Sequence, residues 1–209
     1  MGATQSAIRS AAHNHGGNKN MKREFSLGLA LAAASLTMAL VGSAGADHPK
    51  REEVVRASLR GVSEVPSVAT PARGFFRAVV DEAAGTIAYT LTYDGIGAVT
   101  QSHLHVGQHH TNGGIAVFLC TNLGNSAPAP APTVQACPTV QPATISGVIM
   151  AANVTGAASG TPPTFQGIPS QGIAVGDFAD LVAMIRKGAV YVNVHSTQSP
   201  GGEIRGQLL

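Results

Sequence analysis

The segment Val190-Tyr191-Val192-Asn193-Val194-His195, followed by Ser199-Pro200-Gly201-Gly202 and then Ile204-Arg205-Gly206-Gln207-Leu208, constrains this chain more than any other. Along a strand, successive side chains point to opposite faces, and here every second residue before the turn is valine. Proline presets φ and glycine accepts positive φ, so the Pro-Gly-Gly run folds the chain back on itself. Upstream, Val, Ile, Thr and Ala recur in short runs broken by Gly and Pro. Together these features predict an all-β fold.

Further strands are expected over residues 54–62, 75–81, 86–93, 102–106, 115–120 and 143–154, which with the last hairpin makes about eight. Between residues 86 and 93, Ile87, Tyr89, Leu91 and Tyr93 share one face. One segment has a different period. Phe178, Leu181, Val182 and Ile185 stand at i, i+3, i+4 and i+7 behind a capping Asp177, with Arg186 and Lys187 ahead of Gly188. This predicts a short amphipathic helix over 177–187 whose apolar side covers one end of the core.

The N-terminus reads as an export leader. Met21-Lys22-Arg23 opens a basic region, an apolar run follows from Phe25 to Val41, and Ala44-Gly45-Ala46 precedes Asp47. That order is expected of a signal peptide over 21–46, preceded by a non-structural extension over 1–20. No membrane span is expected after cleavage. Of the 13 basic and 11 acidic residues, four basic and one acidic leave with the leader, so 9 basic and 10 acidic remain. The basic balance therefore belongs to the leader and argues against nucleic-acid binding. In an exported chain, Cys120 and Cys137 are expected to pair. The alternative, a cysteine metal pair, lacks a Cys-x-x-Cys spacing.

The last hairpin, together with Ser102-His103-Leu104-His105-Val106-Gly107 and Asn112-Gly113-Gly114-Ile115, resembles the CHRD domain, a module first recognised in chordin and widespread in secreted bacterial proteins. Ser63-Glu64-Val65-Pro66 fits the same pattern. The resemblance covers residues 52–209. It implies an antiparallel β-sandwich, immunoglobulin-like or Cu,Zn superoxide dismutase-like, in a secreted or periplasmic protein. It also implies a non-catalytic binding role toward an extracellular or envelope protein or a metal ion.

The histidines carry the only chemistry that stands out. His103 and His105 share a strand face opposite Leu104 and Val106, and His195 lies opposite Val190, Val192 and Val194. An HxH strand plus one distant histidine can hold copper or zinc through three imidazoles, and the predicted metal site is His103, His105 and His195. This half-site is similar to the copper half of Cu,Zn superoxide dismutases, which gives an alternative reading as a periplasmic copper redox protein. No spacing rebuilds a zinc half, and no hydrolase, P-loop or zincin motif occurs. The competing interpretation leaves the histidines on the surface, solvated or bonded to the nearby turn. Glu203, Arg205 and Gln207 share a face that is expected to be solvated, with a meeting of Arg205 and Glu64 as the alternative.

Overall fold

In the computed structural model, residues 52–124, 133–156 and 167–209 are described. The leader, the proline-rich segment between the cysteines and much of the Gly156–Gly172 stretch fall outside them. Eight strands form close to the expected positions: β1 (Glu53–Arg60), β2 (Arg73–Asp81), β3 (Thr86–Asp94), β4 (Val99–Val106), β5 (Gly114–Thr121), β6 (Ala143–Ile149), β7 (Val190–Ser196) and β8 (Ile204–Gln207). The strand expected over 143–154 stops at Ile149, because Ala151–Asn153 turn into a 3-10 helix. Among the described residues one α-helix forms, α1, spanning Phe178–Arg186. The class is all-β and antiparallel, as expected.

All eight strands belong to one sheet in the order β5-β4-β7-β8-β1-β2-β3-β6. The sheet curls almost into a barrel, so the layers anticipated for a sandwich are two halves of one continuous ladder. The inward face is apolar: Leu59, Phe76, Leu91, Leu104, Val192, Val194 and Ile204 are fully enclosed in one core. Where the curl brings β3 toward β5, the Tyr89 hydroxyl donates to Leu119 O at 3.3 Å. The stretch after residue 132 bridges the remaining gap. Thr121 N donates to Gln135 O on the β5 side, and Gln135 Nε2 donates to Ser146 O on β6. A disulfide joins Cys120 to Cys137 and fastens that stretch to the end of β5.

Helix α1 forms for the anticipated reasons. Asp177 accepts a hydrogen bond from Asp180 N at 3.0 Å, and Leu181, Val182 and Ile185 are buried against the core. Arg186 pairs with Glu53 and Glu82, tying the helix to β1 and to the turn after β2.

The outward face divides in two. On β1, β2, β3 and β6 it alternates exposed with buried, as in a sheet wetted on one side. On β7 and β8 every residue is buried, and on β4 nearly every one. Three segments roof that half: residues 61–70, 107–113 and 199–203. Asn112 Nδ2 donates to Val65 O, Arg205 Nη2 to Gln108 O, and Thr70 Oγ1 to Glu203 Oε1.

Candidate metal centre under the loop roof

The strand register brings the distant histidine to the HxH pair. β4 and β7 are antiparallel neighbours with His103 opposite Asn193, His105 opposite Tyr191 and Gln101 opposite His195. The β4–β5 register shifts at Ser102/His103 and again at Leu104/His105. Such irregularities re-aim side chains beside functional sites. The three imidazoles converge, with one ring nitrogen from each lying within 4.8 Å of the other two. The closest pair, His103 Nδ1 and His195 Nε2, is 3.1 Å apart.

The side of the sheet was legible; the exposure was not. His103, His105 and His195 project away from the valine core, but they are only 1%, 6% and 8% exposed. They are not surface histidines. Phe118 closes one flank with its ring edge-on to His103, and Tyr191 stacks parallel on His105 at 4.7 Å. Glu203, Arg205 and Gln207 are corrected in the same way. All three are buried, because the 61–70 and 107–113 segments lie over the strand face that alternation left polar.

Hydrogen bonds fix the tautomers. His105 Nδ1 is 3.0 Å from Gly113 O, and His195 Nδ1 is 2.9 Å from Pro200 O. A carbonyl oxygen only accepts, so each Nδ1 carries the proton and each Nε2 presents a lone pair. His103 Nδ1 then donates to His195 Nε2, which leaves His103 Nε2 as its free nitrogen. Nε2 of His103 and Nε2 of His105 are both buried without a partner. Asn193 Oδ1 sits 3.0 Å from His195 Nε2; an amide oxygen only accepts, so with the ring proton on Nδ1 this contact is not a hydrogen bond.

Burial also keeps the rings neutral. Desolvation, reinforced by His195 and His105, holds His103 well below the ordinary histidine value. Burial and the nearby His195 lower His105 to about 3, and burial lowers His195. Neutral imidazole is the metal-binding form, and a backbone carbonyl on the opposite nitrogen is the usual way a ligating ring is oriented.

Around the triad lies a polar layer that sequence reasoning only partly named. Arg205 is 2% exposed, with its guanidinium 3.4 Å over the Tyr191 ring. It makes no ion pair with Glu64, but its charge partly offsets the burial that pushes the Glu64 carboxyl up to about 7. Gly202 has φ +124°, and a Cβ there would meet Glu64 Oε1 and the Asn193 amide. Only glycine lets the hairpin turn lie this close. Alternation had already placed Tyr191, Asn193 and His195 on one face, so pairing β7 with β8 would have revealed the layer. Nothing local to either strand specified that pairing.

The family model for the CHRD domain matches residues 55–208. The chain belongs to the CHRD family. Neither the curated proteins nor the solved structures yield a match to it. The matched region contains all eight strands apart from the first two residues of β1, so the CHRD domain is the whole sheet, and the histidine triad lies inside it.

Proposed function

We propose that this CHRD domain is an exported, non-catalytic binding module that holds a transition-metal ion, Zn(II) or Cu(II), through His103, His105 and His195. The observation that carries this reading is the convergence of three buried, neutral imidazoles, two of which present unpartnered Nε2 atoms. Two nitrogens bound to one ion at about 2.0–2.1 Å lie roughly 3–4 Å apart. His103 Nδ1 and His195 Nε2, 3.1 Å apart, have this spacing once the His103 proton resides on Nε2, and a bound ion would then replace the hydrogen bond between them, with the His105 nitrogen within 4.8 Å of both. A three-imidazole donor set suits both ions. Buried polar atoms without partners are costly, and a bound cation would remove that cost at His105 Nε2.

The Cys120–Cys137 disulfide supports an oxidising compartment, in keeping with the leader at 21–46. Among the described residues, no helix is long and apolar enough to cross a membrane.

The test is titration of the protein with Zn(II) and Cu(II), alongside His103→Ala, His105→Ala and His195→Ala. One ion per chain is expected for the wild type, with affinity lowered at least a hundredfold in each variant. Equal affinity in all four proteins would assign the triad to a purely structural role. Export is checked separately: protein recovered from the envelope or medium should begin at Asp47.

A further inference from the structure

The uncovered half of the outward face carries an arrangement that folding alone disfavours. The β1–β2 register sets Arg56 opposite Arg77 and Arg60 opposite Arg73, with Ser58 opposite Phe75 between them. Like charges directly opposed across an antiparallel pair are destabilising, and here two such pairs stand on one face. Arg73 has Asp94 at 2.8 Å and Arg77 has Glu52 at 4.0 Å. Among the described residues, Arg56 and Arg60 have no acidic partner. Between the arginine pairs Phe75 is 43% exposed.

The surface is shaped as well as charged. Two depressions adjoin at Ser58 and Phe75: one of ≈ 440 Å³ includes Arg60 and Arg73, and the other, of ≈ 690 Å³, includes Arg56, His109 and His110. The rows continue across β3 and β6 as hydroxyls, with Thr90 and Ser146 beyond Arg77 and Thr144 beyond Phe75.

We infer that this face binds an acidic polysaccharide. Arginine forks take carboxylate or sulfate groups in paired hydrogen bonds, and the apolar face of a sugar ring packs on an exposed aromatic. Arg56 and Arg60 are four residues apart, about 13 Å along the strand. That spacing lets two carboxylates of one polymer chain meet the two arginines while an intervening ring rests on Phe75, with the hydroxyl rows meeting the polymer's own hydroxyls. Single-stranded nucleic acid fits less well, because it uses several stacking rings in series and this face offers one. An extended peptide adds to sheet edges through its backbone, and this is a face whose backbone is already paired.

The full chain is assayed against polygalacturonate, with single-stranded DNA and polyglutamate as competing probes. Wild type is expected to bind polygalacturonate more tightly than either competitor, with affinity falling as salt rises. Arg56→Ser/Arg60→Ser should weaken binding at least tenfold and Phe75→Ser several-fold. Melting temperature should be unchanged or higher in the arginine variant, since like-charge repulsion is relieved. His105→Ala should bind the polymer as wild type does, which separates this surface from the metal reading. Absence of binding at low salt, equal binding by the substituted faces, or equal or tighter binding of DNA or polyglutamate would overturn the assignment.

Discussion

A histidine buried as a neutral ring makes stability depend on pH with a definite sign. His103, His105 and His195 have folded pKa values below their unfolded value, so the unfolded chain takes up protons first. Their contribution is complete above about pH 6.5 and is lost as pH falls from there toward the folded value, about 3 for His105. Glu64 acts in the opposite sense. Its carboxyl is raised from 4.5 to about 7, chiefly by burial, so it costs stability as pH climbs through that range. Urea melts of the metal-free protein should therefore show stability rising from pH 4.5 to 6.5, where three groups outweigh one. Glu64→Gln should gain on wild type over the same range and level off above pH 7, by up to about 3 kcal/mol. A flat difference between the two proteins would place the Glu64 carboxyl in contact with solvent.

Two covalent or near-local devices complete the elements. The disulfide closes a loop of sequence separation 17 and holds the 133–138 stretch across the gap between β5 and β6. On the chain-entropy argument its reduction should cost about 3 kcal/mol in thermal or chemical unfolding, with the β signal in circular dichroism retained. Helix α1 depends on its Asp177 cap, whose carboxylate satisfies Asp180 N. Asp177→Ala should cost about 1 kcal/mol, measured by urea unfolding, and should leave metal affinity unchanged because the helix packs into the core while the histidines project from the opposite side of the sheet. Strand positions were legible to within a few residues because alternation is local. The eighth strand, β8, with Ile204 as its one apolar side chain and a glycine at 206, owes its burial to β1 and β7 on either side.

Across the whole molecule, one continuous sheet presents two different outward surfaces, a roofed polar layer over β4-β7-β8 and a bare face over β1-β2-β3-β6 that is basic on β1 and β2 and hydroxyl-lined on β3 and β6. An ion held only by the folded triad should stabilise the domain by mass action, about 2.7 kcal/mol at a hundred times its Kd. For a domain of this size that is roughly 5–10 °C in Tm, seen by calorimetry and absent in His103→Ala. The all-β class, the helix and its cap, the disulfide pair and the side of the sheet on which each histidine sits were all decided within the sequence, because strand alternation, helical period and cysteine number are local or countable. The roof was not. Whether a polar strand face meets water or another segment depends on which loops cross it, and residues 61–70 reach Glu203 and Arg205 only through the strand order. Tertiary structure alone therefore decided that the histidines are buried, that Glu203, Arg205 and Gln207 are enclosed with them, and that the arginine pairs stay in water. Each of these follows from long-range pairing, which the sequence near those residues does not encode.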